Sequence, residues 1–501
     1  MLNNRFRRVL ALAICALTLT GSLAACSGGD DPAKNPVSPV ITTAPSGDTT
    51  TPAETEPVVI TRENYPDSLP QNLRFDGETF TMMLSSDASK RDEFIAEQLT
   101  AEIVNDATLK REQAVEDRFG IQIEWLEVAN SAKVTTIRNS LNAGMVDFDL
   151  VASETDHLVT LGAEGLFMNW IDAPYIDFTM PWWNPDSNMV DSLSINGQLY
   201  SITGDLSRLF VQKHFACYFN KNIMGDHPEI PDLYQMVLDG KWTIDRLTEY
   251  SQLVKEDLNG DQQMNEEDRF GFASYYATPF DNWIIAFGQN VASKDENGEI
   301  KFNLSNPKMY DLCERLTALY KGENTFIHSG GRSGTTTFFV ENHALFTVGG
   351  FEWATGMRDM TNDFGIIPYP KLTEDQEGYY TGYSAAGASV FAIAELHDDK
   401  EFACAVTEAL AAESYRKVTT AYFETALKEK YARDSQASQM LDIIREGVVF
   451  DFGFFYSSQL NACDNIMRSV VSEGKNNYAS AVAILGRVCE KRLETLVGKY
   501  Q

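Results

Sequence analysis

The hydrophobic and polar positions of this chain alternate between the spacing of strands and the spacing of helices. In the first third, strand-like and helix-like segments follow one another at residues 80–84, 97–119, 121–128, 134–143 and 148–153. A further helix is predicted to start at Asp156. Such alternation favours an α/β fold, in which helices cover a mostly parallel sheet.

The remaining chain continues the pattern, with longer helices towards its end. Strands are predicted near residues 210–218, 344–348 and 389–394, and helices at 400–427, 435–446 and from 479. Thr243 is placed to cap an amphipathic helix that has Asp245 in its first turn. The folded part, from about Tyr65 to Gln501, is long for one core and therefore predicts two lobes.

The first 25 residues have the pattern of an export signal. Arginines 5, 7 and 8 precede an apolar run at residues 9–19. The segment ends in Leu23-Ala24-Ala25-Cys26, which resembles the lipobox of bacterial lipoproteins, where the cysteine is acylated before cleavage. We expect Cys26 to anchor an extracytoplasmic protein to the cell membrane. A plain cleaved signal or an N-terminal membrane helix is the alternative, but the run is short for a membrane span.

Residues 26–65 predict a disordered linker behind this anchor. They are rich in Pro, Thr, Ser and acidic residues, and residues 27–64 contain no aromatic side chain. Such a composition cannot bury enough apolar surface to fold. No later segment has the roughly 18 consecutive apolar residues of a spanning helix, so we expect a soluble body held by the lipid alone.

Charge and cysteine usage exclude several classes of function. The formal net charge is −31, which would repel the phosphates of nucleic acid. Beyond the signal and Cys26 five cysteines remain, an odd number without a CxxC pair, and we assign them no role. Six scattered histidines have no metal-ligand spacing.

Several segments, in the same order, resemble the extracellular solute-binding proteins of the carbohydrate type. Gly197-Gln198-Leu199-Tyr200 and Tyr218-Phe219-Asn220-Lys221 are similar to the Gly-Lys-Leu-Tyr and Tyr-Asn-Lys segments of that family. The further similar segments are 240–243, 279–288, 344–351 and 366–370. Each match alone is weak, and their shared order behind a lipobox carries the resemblance.

The resemblance implies a two-lobed periplasmic-binding-protein-like fold of type II, with the ligand in a cleft between lobes that close around it. Hinge crossings are then expected near residues 207, 380 and 430. The implied division is lobe 1 at 66–207 and 381–430, and lobe 2 at 208–380 and 431–501. Such a protein is a monomer that captures a sugar or oligosaccharide for the permease subunits of an ABC importer, and it is not an enzyme.

The resemblance also implies ligand-binding positions. Aromatic side chains that stack on sugar match Phe280 and Phe351, with Trp283 and Trp353 close to them. Polar positions facing the cleft match Asp156 and Asp205, and ordinary core packing is the alternative for each aromatic. Ser85 and Ser86 are added because they follow the first strand, where open α/β sheets bind ligands.

An acidic segment has the oxygen spacing of an EF-hand-like calcium loop. Two of its positions depart from that pattern: Gln262 replaces the usual Gly, and Asp268 replaces the usual Glu. An acidic surface turn is the alternative, and no other cofactor is expected. The candidate ligands of a structural Ca²⁺ are Asp257, Asn259, Asp261, Gln263, Asn265, Glu266 and Asp268.

Two other functions stay open from the sequence. A secreted glycan-active hydrolase needs only two carboxylates, and the chain has 72 acidic residues, but it has no GxSxG or HExxH motif. A surface adhesin or sensor lipoprotein is the second alternative. The sequence does not identify the solute.

Overall fold

The computed structural model describes residues 59–357, 360–383, 387–429, 435–475 and 477–500. The predicted signal peptide, Cys26 and most of the linker lie outside these residues. The strands are β1 Thr79–Ser85, β2 Gln122–Val128, β3 Leu150–Ser153, β4 Phe215–Asn220, β5 Phe270–Ser274, β6 Ala292–Lys294, β7 Ile300–Phe302, β8 Thr325–Ile327, β9 Ala344–Gly350, β10 Phe364–Ile367, β11 Thr381–Gly382, β12 Val390–Ala392 and β13 Val448–Val449.

Helices separate most of these strands. They are α1 Ala88–Arg91, α2 Ile103–Phe119, α3 Asn130–Asn142, α4 Thr155–Gly162, α5 Met189–Leu193, α6 Arg208–Gln212, α7 Lys221–Gly225, α8 Leu233–Leu238, α9 Ile244–Leu253, α10 Thr278–Ala286, α11 Pro307–Tyr320, α12 Gly331–Val340, α13 Glu352–Gly356, α14 Lys400–Glu413, α15 Ser435–Glu446, α16 Phe452–Phe455, α17 Asn465–Glu473 and α18 Tyr478–Val497. Two 3₁₀ turns cover Pro181–Trp183 and Pro185–Ser187, and a π-helix covers Ser414–Glu429.

A four-stranded sheet is built mainly from the first third of the chain. Its order is β12-β3-β1-β2, with β1 parallel to β2 and β3, and β12 antiparallel at the edge. All four residues of β3 are buried, as expected for a strand covered on both faces. The carboxyl ends of β1 and β3 therefore lie at one edge of this sheet, followed by Ser86 and Glu154.

A five-stranded sheet is built from the middle of the chain. Its order is β10-β4-β9-β5-β8, with β4 antiparallel to β9 and β10, and β5 parallel to β8 and β9. All seven residues of the central strand β9 are buried. Two sheets with their own covering helices confirm the predicted α/β fold.

Later strands return to the earlier sheets and join distant parts of the chain. β12 joins the first sheet, and the short strand β11 pairs in parallel with β13. β11 and β12 directly follow the crossing predicted near residue 380, while the crossing predicted near 430 falls outside the described residues. The lobe boundaries at 207, 380 and 430 stay predictions.

Local capping explains where the structure departs from the sequence-based elements. The helix predicted at 97–119 begins only at Ile103, because the Glu102 side chain accepts a hydrogen bond from Asn105 N at 2.6 Å. The strand predicted at 210–218 is wrong in its first part. There the Ser207 hydroxyl caps α6 by accepting from Phe210 N, and the strand starts at Phe215.

One buried carboxylate joins α14 to the Pro181–Trp183 turn. The two oxygens of Glu408 accept hydrogen bonds from Trp182 Nε1 at 3.0 Å and Trp183 Nε1 at 2.8 Å. Burial raises the pKa of Glu408 to about 8, against the lowering effect of the two indole donors. In the described part of the chain, no helix is long and apolar enough to cross a membrane.

Candidate functional site

A cavity of about 380 Å³ is lined by residues from both sheets and from the last third of the chain. Glu154, Thr155 and Asp156 enter it from the carboxyl end of β3, at the start of α4. α10, which follows β5, supplies a second wall, and the segment from Phe454 to Arg468 supplies a third. The cavity therefore collects groups that are far apart in sequence.

Two neighbouring polar residues on α10 each leave one buried atom without a partner. Asp281 Oδ2 accepts from Arg468 Nη1 at 2.6 Å, and Asn282 Oδ1 accepts from Gly382 N at 2.7 Å. Asp281 Oδ1 and Asn282 Nδ2 have no hydrogen-bond partner within the described chain, although Asp281 is only 7% and Asn282 only 3% exposed. Such groups are costly unless something else satisfies them.

The carboxylates of the cavity are held in an environment of low polarity. Burial raises the pKa of Asp281 to about 8, although the charge of Arg468 acts to lower it. Burial also raises the pKa of Asp464, whose Oδ1 accepts from the Ser457 hydroxyl at 2.6 Å. The Arg468 guanidinium also contacts Asn465 Oδ1, so α17 presents an ordered polar surface.

Aromatic side chains form the apolar part of the lining. Phe454 and Phe455 come from the short helix α16, and Phe215 and Tyr383 also line the cavity. The buried Asp451 caps α16 by accepting from Phe454 N at 2.8 Å, and it also accepts from Val291 N at 2.8 Å.

Tyr383 joins the aromatic and polar parts of the lining. The hydroxyls of Tyr383 and Thr155 are hydrogen-bonded at 3.0 Å, and the Tyr383 ring stacks on Phe450. A polar wall opposite aromatic rings is an arrangement that can bind a molecule with both hydroxyl groups and apolar faces.

Of the sequence-predicted ligand residues, Asp156 lines this cavity. Phe280 and Trp283 lie on α10 but are fully buried around Tyr320, whose hydroxyl accepts from Trp283 Nε1 at 2.9 Å. They support the helix that carries Asp281, and neither belongs to the cavity lining. Their contact with ligand stays a prediction.

The other predicted residues lie elsewhere. Phe351 is fully buried beside His214, and Trp353 stacks between Tyr218 and Tyr275. In both places the rings pack in the core next to the end of β9, which is the ordinary core packing named as the alternative for each aromatic. Their ligand role also remains untested.

Asp205 is buried in an ion pair with Arg445 at 2.8 Å and accepts from Asn184 Nδ2 at 3.3 Å. Both of its partners line a second cavity of about 340 Å³. Ser85 is buried and its hydroxyl accepts from Asp87 N at 3.2 Å, whereas Ser86 is exposed. Neither serine lines the first cavity.

The sequence pattern did not single out the residues that dominate the cavity. Asp281 and Asn282 stand inside the matched segment 279–288, so their position was available but their role was not. The aromatic run from Phe452 to Tyr456 was a signal that could have been noticed. Nothing in the local sequence marked Arg468.

Among the described residues, one group of acidic and histidine side chains is close enough together to hold a metal. Glu154, Asp156 and His157 offer ligand atoms within 4.8 Å of one another at the cavity wall. In the acidic loop, the two Asp257 oxygens accept from Gly260 N at 2.7 Å and Gln262 N at 2.8 Å.

The backbone conformation of that loop shows how Gln262 stands in for the Gly that the calcium motif normally has at this position. This residue adopts a φ of +63°, the left-handed conformation for which the motif normally uses Gly. Both oxygens of the buried Asp268 accept from backbone amides, of Leu258 at 3.0 Å and of Asn265 at 2.8 Å.

A cavity that adjoins two sheets and contains buried polar atoms without a protein partner is typical of proteins that bind a small solute. The family model described as bacterial extracellular solute-binding protein matches residues 111–423, more than half of the chain. The chain therefore belongs to this family, which confirms the resemblance found in the sequence. A comparison with curated protein sequences gave no match.

Solved structures of the same architecture are similar to this chain. A cyclo/maltodextrin-binding protein complexed with maltotetraose is 13% identical, with a TM-score of 0.56 over 84% of this chain and 98% of its own. A solute-binding protein from Staphylococcus aureus in complex with maltose is 12% identical, with a TM-score of 0.56 over 83% and 98%. At these identities the likeness shows the fold.

Proposed function

We propose that this extracellular solute-binding protein captures a carbohydrate in the cavity beside α10 and delivers it to the permease subunits of an ABC importer, without chemical conversion. One observation carries the carbohydrate assignment: Asp281 Oδ1 lacks a donor and the adjacent Asn282 Nδ2 lacks an acceptor. The hydroxyls of a sugar can donate to the first and accept from the second. Capture would satisfy both buried atoms.

The aromatic lining supports the same ligand class. A sugar ring has an apolar face that packs on aromatic side chains such as Phe454 and Phe455. The volume of about 380 Å³ lies near the lower end of the range of roughly 300–1,000 Å³ for ligand pockets, which favours a short saccharide. Maltotetraose and maltose, bound by the two similar structures, belong to this class.

The charges of the cavity favour some sugars over others. Four carboxylates line it, those of Glu154, Asp156, Asp281 and Asp464, against the single guanidinium of Arg468. Burial raises the pKa of both Asp281 and Asp464, which means that this partly desolvated space disfavours negative charge, so an anionic group on the ligand would be costly there. We therefore propose that the ligand is neutral or carries an amine, and not a uronate or a sugar phosphate.

Thermal unfolding of the soluble body, residues 27–501, against neutral, amino and acidic saccharides tests this function. A ligand at about 100 times its Kd should add roughly 2.7 kcal/mol to the unfolding free energy, a readily measured shift. We expect shifts with neutral or amino saccharides, and recovery of the sugar unchanged by chromatography. No shift with any saccharide, on protein freed of carried-over ligand by refolding, would contradict the carbohydrate assignment. Cleavage of the sugar would instead indicate a hydrolase.

We propose further that Cys26 carries the lipid that holds the protein at the membrane, with residues 27–64 as a tether. Replacement of Cys26 by Ala removes the acylated thiol. We expect the variant to lose incorporation of radiolabelled palmitate and to leave the membrane fraction. Equal labelling of the variant and the wild type would exclude Cys26 as the anchor.

We also propose that the acidic loop from Asp257 to Asp268 binds a structural Ca²⁺. The left-handed Gln262 gives the loop the turn that the motif requires, and Asp268 holds the two ends of the loop by accepting from Leu258 N and Asn265 N. Chelator should lower the midpoint of thermal unfolding, and Asp257→Asn should abolish that response. A wild-type midpoint that is the same with Ca²⁺ and with chelator would rule the site out.

A further inference from the structure

Two buried cysteines near the carboxyl terminus are brought into contact by the fold. Cys463 lies just before α17, and Cys489 lies on α18. Their side chains are 1% and 0% exposed, and the S–H of Cys463 is hydrogen-bonded to the sulfur of Cys489. α17, which follows Cys463, packs against α18, so the two thiols lie beside that interface.

The three other cysteines of the folded body lack such a neighbour. The Cys217 thiol donates to Tyr218 O at 3.9 Å, and the Cys313 thiol is hydrogen-bonded to Thr317. Cys404 is buried in α14. Within the described chain, Cys463 and Cys489 are thus the one pair of thiols that interact with each other, and both are free in this structure, so the odd count of five divides into a pair and three single thiols.

We propose that Cys463 and Cys489 form a disulfide when the protein folds outside the cytoplasm. Extracellular proteins fold where disulfides form and persist, and this family is extracellular. The bond would fix α18 to the segment that carries Asp464, Asn465 and Arg468 into the cavity. It would thereby hold one wall of the ligand site in place.

The chemistry is a thiol–disulfide exchange with an oxidoreductase that carries an oxidised disulfide. The thiolate of Cys489 attacks that disulfide, forms a mixed disulfide and expels the first oxidoreductase thiol. The Cys463 thiolate then attacks the Cys489 sulfur, which releases the second. The two electrons and the two protons end on the oxidoreductase dithiol. Because both thiols are buried in the native fold, exchange precedes the docking of α18.

A thiol count decides the proposal without any sugar, so its outcome is independent of the carbohydrate assignment. The soluble body, residues 27–501, is unfolded and reduced, refolded in a glutathione redox buffer, then denatured and alkylated for mass spectrometry. We expect three alkylated cysteines and a peptide that links Cys463 to Cys489. Five alkylated cysteines, or a link between other cysteines, would overturn the proposal.

Matched variants give a second readout. Dithiothreitol should lower the unfolding midpoint of the wild type, and Cys489→Ser should remove this response. Cys404→Ser, at an equally buried but unpaired position, should keep it. If Cys489→Ser does not fold, the number of alkylated cysteines in the wild type alone decides whether the disulfide forms. The structural role of the bond would be contradicted if dithiothreitol left the unfolding midpoint of the wild type unchanged while the alkylation count showed that the bond had been reduced.

Discussion

At the scale of single residues, Asp281 and Asn282 each use one polar atom for the fold and leave the other without a protein partner. The used atoms join α10 to Arg468 on α17 and to Gly382 on β11. Gly382 suits a close approach there, since a Cβ at this position would lie 3.1 Å from Ile285 Cγ1 and 3.2 Å from Asn282 Oδ1, and these side chains would have to move. The fold thus fixes the direction of the two unused atoms before any ligand arrives, which limits the ordering cost of binding.

Asp281→Asn should weaken saccharide binding about tenfold to a hundredfold. The amide keeps the size of the side chain but has one acceptor oxygen in place of two, so it loses either the bond from the charged Arg468 or the bond from a ligand hydroxyl, an effect of about 1.5–3 kcal/mol. Isothermal titration with the saccharide that gives the largest thermal shift measures the loss. Asp186→Asn, at an exposed residue of the second cavity, is the control and should bind normally. Equal affinity of both variants would remove Asp281 from the site.

At the scale of elements, the contact between α14 and the Pro181–Trp183 turn makes stability depend on pH. Glu408 has a folded-state pKa of about 8, above its ordinary value of 4.5, because burial penalises the ionised form. Its contribution to stability is therefore fully present below about pH 4.5 and is lost as the pH rises towards 8.

Glu408→Gln should lower the unfolding free energy, by an amount that shrinks as the pH rises from 5 to 8. The amide accepts from only one of the two indoles, which costs about 1–3 kcal/mol, and it does not titrate. The wild type loses at most about 1.4 kcal/mol per pH unit through this group. Urea unfolding at several pH values measures both effects, with Glu401→Gln, exposed on the same helix, as the control. A difference that stays constant with pH would argue against the raised pKa.

At the scale of the whole molecule, the cavity takes its walls from elements of both sheets. A ligand that contacts both walls stabilises the arrangement in which they are close together. The strand pair β11–β13 and the adjacent hydrogen bond from Phe215 N to Thr381 Oγ1 at 3.0 Å lie where the chain passes between the sheets. We expect bending to be concentrated there.

Saturating saccharide should therefore reduce the radius of gyration measured by small-angle X-ray scattering on the soluble body. The same concentration of sugar should have a smaller effect on Asp281→Asn, because less of that variant is bound. An unchanged radius at a concentration that saturates the calorimetric signal would mean that binding does not close the two halves.

The sequence predicted best those helices and strands in which apolar positions recur at a regular spacing within the element itself. The helix predicted at 435–446 is found at Ser435–Glu446, and the strand predicted at 344–348 is the core of β9. The errors occur where a side chain changes the backbone path, as at Glu102 and Ser207. Capping of this kind is a choice between near-equal local structures, and the hydrophobic pattern does not encode it.

The sequence by itself determined the α/β alternation, the export pattern and membership of the solute-binding family, because periodicity and ordered short segments are local properties of a chain. It also indicated the neighbourhood of the site, through Asp156 and the segment that includes Phe280. Only the tertiary structure placed Arg468 on Asp281, 187 positions away, and Cys463 against Cys489. Contacts between such distant residues depend on how helices pack, and packing decides which polar atoms are left to meet a ligand.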